Sequence, residues 1–104
     1  DIQFNIKLLH KMIQFCLDKN LQPVVCVLPV SSYLGEKFSD SFVEEQILAY
    51  INQANTQNCP VFNYLKDKRF TDSSLYINSF FFNLCGRKQF TKVMIDELKD
   101  KNIL

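Results

Sequence analysis

Tryptophan is absent, histidine occurs once, and the 104 residues hold only two Gly and three Pro. So few turn formers exclude an all-β sandwich or barrel, which needs a turn signal about every ten residues. With one Gly at position 35 and the other at 86, there is no Gly-rich loop of the dinucleotide-binding or P-loop kind and no G-x-S-x-G nucleophile turn. A preponderance of one charge is also missing. Twelve basic and eleven acidic residues leave a net +1, which excludes an expanded polyelectrolyte and gives no basic face to reward nucleic-acid phosphates. The densest basic group, Lys66, Lys68 and Arg69, is interrupted by Asp67 and reads as a solvated loop. No apolar run reaches the roughly 18–20 residues of a membrane span.

The four cysteines, Cys16, Cys26, Cys59 and Cys85, form no C-x-x-C pair. Structural zinc sites are built from such pairs, so no metal is expected. Cys16 and Cys26 read as small core residues, and the spacing leaves a disulfide through Cys59 or Cys85 open. The chain opens on Asp1 instead of Met, as a processed or excised piece would, and carries no export signal at that end. Any anchor would lie upstream.

What is present is a 47% hydrophobic composition, including ten Phe, arranged with clear periods. Ile2, Ile6, Leu9, Ile13 and Cys16 recur at helical spacing, widened by Leu8, Met12 and Phe15. Gln3, Lys7, His10, Gln14 and Asp18 fall on the opposite, polar face, where the lone His10 is expected to be solvated. Lys19 and Asn20 suit the helix exit. Gln22 to Val30 is a continuous β-branched run bounded by Pro23 and Pro29, the pattern of a strand buried on both faces. Ser41 and Glu44 form an S-x-x-E capping box for a helix burying Val43, Ile47, Tyr50, Ile51 and Ala54. Cys59 to Leu65 reads as a second strand, Lys66 to Ser74 as a loop, and Asn83 as the cap of a last helix burying Phe90, Val93, Met94 and Leu98.

The order helix, strand, helix, strand, helix predicts βαβ crossovers and a parallel sheet. The fold class expected is α/β: a partial three-layer αβα domain over residues 1–104 of flavodoxin-like kind. Two strands are few for an open sheet. The edge of Val24 to Leu28 is therefore expected to pair with a second copy or with the rest of a larger chain.

Catalytic groups are sparse. A Ser–His–acid triad or a Cys–His pair would have to use His10. Glu44 and Glu45 are explained by their place in a first helical turn. Asp67 and Asp72 share a loop with Arg69. Ser31 and Ser32 follow the carboxyl end of the first strand, the usual place for ligands in open α/β sheets, and are ligand candidates. Phe80, Phe81 and Phe82 are interface candidates, since three consecutive rings cannot all point inward.

Several stretches together resemble the SGNH (GDSL-type) hydrolase family. NIKLLHKMIQFC followed by QPVVCVLPVS resembles that family's fourth strand and the helix before it. The family's late motif, D-S-D-H-L-N-x-x-G, is similar to the run from Asn78 to Gly86. Ser79, Asn83 and Gly86 fall in register, and Phe90-Thr91 matches the residues that follow. The layout is closest to the envelope-associated branch that includes the D-alanyl transfer protein of teichoic acid. Two departures matter more. Asn78 stands at the acid position and Phe81 at the histidine position, and no histidine follows His10. Asn cannot hold the charge that steadies an imidazolium, and Phe moves no proton. The nucleophile and oxyanion residues belong to the family's N-terminal half.

The resemblance thus implies a non-catalytic SGNH-like domain with a binding or structural role in a larger, bacterial envelope-associated protein. It implies no cofactor. Two alternatives are an esterase or acyltransferase of envelope polymers whose catalytic residues lie outside this segment, and an unrelated small α/β interaction module.

Overall fold

The computed structural model describes residues 1–104. Helix α1 (Ile2–Asp18) leads to strand β1 (Val25–Val27) and a single helical turn, α2 (Ser32–Gly35). Next comes α3 (Asp40–Val43), which passes through a π-helical segment (Glu44–Leu48) into α4 (Ala49–Ala54). Strand β2 (Val61–Asn63), two 3₁₀ turns (Lys68–Phe70 and Ser73–Leu75) and helix α5 (Leu84–Asp100) complete the chain. The expected order is present, as a mixed helical fold with a small two-strand sheet. The strands are parallel, because the ladder climbs both together: Val25 N donates to Pro60 O at 2.9 Å and Tyr64 N to Val27 O at 3.0 Å. Residues divide into two compact units, Asp1–Cys26 with Phe38–Phe62, and Val27–Lys37 with Asn63–Leu104.

In the first unit, Asp1 caps α1 by accepting from Phe4 N at 3.1 Å. Ile13 is buried, with Ile6, Leu9 and Cys16 half-buried beside it. Leu8, Met12 and Phe15, expected to widen that face, are exposed. A helix covered along one stripe buries only the residues facing its neighbour, and these three lie beyond it. His10 corrects the expectation in the other direction. It is half-buried, and its Nδ1 lies 3.1 Å from Ala54 O. A carbonyl only accepts, so Nδ1 carries the proton. One polar position of α1 is thereby turned onto the end of α4.

The expected Ser41–Glu44 box does not form. Ser39, in extended backbone, accepts from Phe42 N at 3.0 Å and starts α3 two residues earlier, while Ser41 is already inside that helix and Glu44 begins the π segment. Val43 and Ala54 are buried, and Ile47, Tyr50 and Ile51 are half-buried. After α4, the buried Asn55 closes a tight turn: its Nδ2 donates to Cys59 O at 2.8 Å and its Oδ1 accepts from Cys59 N at 2.9 Å.

The first strand is shorter and less buried than its composition predicts. Only Val25–Val27 pair, all three are half-buried, and Leu28 is exposed. A strand with one neighbour in a two-strand sheet has no second partner to extend it.

The second unit is organised around rings. Phe70, in the stretch expected to be a plain loop, is fully buried. It meets Tyr64, Phe82 and Phe90 edge-on at centroid distances of 6.3, 5.9 and 5.4 Å, geometry that satisfies the aromatic quadrupoles. Tyr76 stacks on Phe82 at 4.9 Å and donates its hydroxyl to Phe70 O. Asn83 caps α5 as expected, accepting from Gly86 N at 2.9 Å.

Three asparagines supply the left-handed backbone that glycine usually provides: Asn20, Asn58 and Asn102 have φ of 59°, 55° and 58°. Asn20 and Asn102 lie just past the ends of α1 and α5, where a left-handed residue lets the chain fold back onto the last turn.

Candidate functional site

The candidate residues on the second unit fall into two neighbouring places. At the carboxyl end of β1 the chain runs through Leu28, Pro29 and Val30 into the serine pair. Val30 N donates to Leu65 O at 3.3 Å, a single contact between the segments just past β1 and β2. Ser31 N then donates to Ser79 O at 3.2 Å, and Ser32 N to Thr71 O at 3.1 Å. The backbone amides of both serines are therefore tied to segments that follow β2. Ser31 is buried and Ser32 exposed. Together with Gly35, Lys66, Lys68 and Thr71 they bound a cavity of about 290 Å³.

The second place is the loop 77–81. An antiparallel bridge between Tyr76 and Phe82 closes its base, and Ile77 N donates to Phe81 O at 2.8 Å. Inside it, Asn78 Oδ1 accepts from Phe80 N at 2.9 Å and Phe81 N at 3.0 Å. This is the Asx-turn chemistry that makes Asn a turn residue. It bends the chain so that the three Phe separate. Phe82 turns inward onto Tyr76, while Phe80 and Phe81 stay 61% and 66% exposed. An apolar groove of about 450 Å³ lies here, lined by Leu28, Pro29, Ile77, Phe80, Phe81 and Arg87.

Several ionisable groups of this unit are committed to contacts within it. Asp67 grips Arg69 with both oxygens, at 3.0 Å to Nε and 2.7 Å to Nη2. That guanidinium holds the Asp67 carboxyl below the usual carboxylate range, and the two carboxylates of Asp67 and Glu97 raise Arg69 further above its already high value. Asp72 is also lowered, by the hydrogen bond it accepts from Ser74 N. Asp67 and Asp72 are the N-caps of the two 3₁₀ turns, accepting from Arg69 N and Ser74 N. Burial pushes the Tyr76 phenol up to about 12. His10 lies in the first unit, bonded to Ala54 O. No group of three or more His, Cys, Asp or Glu side chains is placed to hold a metal ion. None of the four cysteines is in a disulfide, Cys59 being buried and Cys85 exposed, and no helix is long and apolar enough to cross a membrane.

The serine pair and the Phe run, both candidates from the sequence, lie on segments linked by the Ser31–Ser79 hydrogen bond. Leu28, Ile77 and Arg87, which line the groove, were not among the sequence candidates. Leu28 was expected to be buried in a strand, and nothing in the sequence marks it as the rim of a groove. Arg87 had a readable signal, since it follows the Asn83 cap by four residues and so falls one turn into α5.

No family model matches the chain, and no curated protein or solved structure is significantly similar to it.

Proposed function

We propose that this chain is a non-catalytic α/β binding domain that presents the groove beside Phe80 and Phe81 to a partner. On this reading its helix–strand–helix–strand–helix order is part of a three-layer αβα sheet domain of SGNH-hydrolase kind, belonging to a larger envelope-associated protein. The observation that carries the reading is the Asn78 turn. A catalytic loop would place an acid at residue 78 and a proton carrier at residue 81. Here the Asn78 oxygen is spent on the Phe80 and Phe81 amides, and an exposed aromatic ring stands where an imidazole would act. A loop tied in this way offers two rings in fixed positions at little entropic cost, which favours recognition.

The edge of β1 supports a further part of this reading. β1 has one strand neighbour, so the Val24–Leu28 segment can accept another strand, from a second copy or from the rest of a larger chain. Light scattering over a concentration range tests it. A dimer supports edge pairing, and a concentration-independent monomer removes self-pairing.

The central test pairs an esterase assay with a binding assay. Para-nitrophenyl acetate and longer acyl esters are expected to be hydrolysed no faster than by the Ser31→Ala or Phe81→Ala chains. An environment-sensitive apolar dye such as anilinonaphthalene sulfonate is expected to bind, and to lose most of its signal in Phe81→Ala. Turnover abolished by Ser31→Ala would overturn the non-catalytic reading. Dye binding indifferent to Phe81 would remove the groove from it.

A further inference from the structure

We infer that the face carrying Phe80 and Phe81 docks onto an anionic lipid surface, with the rings entering the headgroup region and α5 cations holding the phosphates. This rests on the reading of that groove as a binding face and names its partner.

The first observation is an apolar cluster that the fold leaves uncovered. Ile77, Phe80, Phe81 and Leu84 are 71%, 61%, 66% and 59% exposed within eight residues of chain, and Leu28, 59% exposed, lines the same groove as the first three. Single exposed apolar residues are ordinary, but a contiguous group of large ones marks an interaction surface. The loop is also braced. Its base is the Tyr76–Phe82 bridge, and its tip is held by three hydrogen bonds, Ile77 N to Phe81 O and the two that Asn78 accepts. The rings are thus presented by a closed turn, and their exposure does not come from a frayed end.

The second observation is charge, and it is independent of the first. The chain as a whole is nearly neutral, yet from Ser73 to Ile95 it carries Arg87, Lys88 and Lys92 and no Asp or Glu. Arg87 lines the aromatic groove and also a neighbouring shallow depression that it shares with Lys88 and Lys92. The cations therefore continue directly from the rim of the apolar face. Lys92 is paired with Asp96 at 3.2 Å. Arg87 and Lys88 are held by no acid.

Large apolar side chains bordered by Lys and Arg form the pattern of a surface that lies in a membrane interface: rings and aliphatics reach the acyl boundary while the cations stay at phosphate level. Each cation near an anionic bilayer adds attraction that dies away within a Debye length. An acidic apolar peptide would satisfy the same charge. A bilayer is favoured because Phe80 and Phe81, the two rings of the cluster, sit at the tip of a tight loop, from which they can enter a layer.

The test is flotation of the full chain with vesicles of phosphatidylcholine alone and of equimolar phosphatidylcholine and phosphatidylglycerol, at low and at about 1 M salt, where surface attraction is screened. Binding is expected to the anionic vesicles at low salt. Arg87→Gln with Lys88→Gln is expected to lower partitioning about five-fold per cation removed, and Phe80→Ser with Phe81→Ser more than ten-fold. All four side chains are exposed, so these variants should fold, which thermal melting checks. Equal binding to neutral and anionic vesicles, or binding unmoved by the four substitutions, overturns the inference. So does retention on an immobilised acidic apolar peptide with no vesicle binding, which assigns the face to a protein. If vesicles fail but Phe81-dependent dye binding persists, the lipid partner is wrong and the binding face stands. If both fail, the reading of the groove fails with it.

Discussion

Arg69 Nη2 meets Glu97 Oε1 at 2.9 Å, joining the first 3₁₀ turn to the body of α5 across 28 residues of sequence. The same carboxylate accepts the Tyr64 hydroxyl on its other oxygen at 3.0 Å. Arg69 also holds Asp67, and its carbonyl accepts from Gln89 Nε2 at 3.0 Å. The ion pair itself is half open to solvent, with side chains 48% and 27% exposed, so its charge alone is worth at most about 1 kcal/mol. The tyrosine hydroxyl is the larger stake, because truncating Glu97 also removes the hydrogen bond that this carboxylate accepts from a buried ring. Urea unfolding of Glu97→Ala is expected to show a loss of about 1–2 kcal/mol. Glu97→Gln, which can still accept from Tyr64, should lose about half as much.

The same hub sets an acid limit. Asp67 has its folded pKa depressed by the Arg69 hydrogen bond. A depressed carboxylate contributes stability above its unfolded value, and that contribution is lost as pH falls through the folded value. Asp72, lowered by Ser74, acts in the same direction. Thermal melts are expected to be level with pH on the neutral side of the ordinary carboxylate value, about 4, and to fall below it. Asp67→Asn should lower the plateau and flatten the part of the decline that Asp67 causes. A decline unchanged in Asp67→Asn would assign the acid limit to other groups.

Local features of this fold were readable and distant ones were not. The period of α1, the Asn83 cap and the places of the two strands along the chain depend on neighbours a few residues apart. Phe70 depends on Phe82 and Phe90, which approach only after the loop has folded, and its immediate neighbours Lys68, Arg69 and Thr71 are all polar. His10 looked solvated for the same reason: its partner, the Ala54 carbonyl, is 44 residues away. Ser39 and Ser41 both precede acceptable helix starts. The outcome turned on which serine took up extended backbone, a difference that spacing does not encode. At the candidate site the Phe run announced an outward ring. That Phe82 is the inward one followed from the Tyr76 bridge, and Arg87 at the groove's rim followed from where α5 begins.

Gly86 is small for a packing reason. A Cβ at this position would lie 2.5 Å from Phe82 Cδ1 and closer still to the Leu75 carbonyl oxygen. The oxygen is backbone and cannot swing aside, so the first turn of α5 would have to shift. Helix propensity alone favours Ala over Gly by about 1 kcal/mol, so an increase in stability would be the naive expectation. The crowding is expected to reverse that sign, with Gly86→Ala destabilised by about 1–3 kcal/mol in chemical denaturation. Gly35 is the internal control. A Cβ there meets nothing nearer than Val30 Cγ2 at 3.7 Å, so Gly35→Ala should be neutral or mildly stabilising.

Asn83 is used at both ends, which separates its two roles by substitution. Its Oδ1 caps α5 by accepting from Gly86 N, and its Nδ2 donates to Ser74 O at 2.7 Å, tying the helix start to the second 3₁₀ turn. Asp in its place would keep the acceptor and gain from the positive end of the helix dipole, but would set a carboxylate oxygen against the Ser74 carbonyl. Ser would keep a cap and simply lose the tie, whereas Ala would lose both. The expected order of stability is Asn, then Ser, then Asp, then Ala. Asn83→Ala should cost about 2 kcal/mol, from a lost cap of about 1 kcal/mol and a lost side-chain hydrogen bond of similar size. If Asp matched or exceeded Asn in unfolding experiments, the Ser74 tie would contribute nothing and the cap alone would explain the residue.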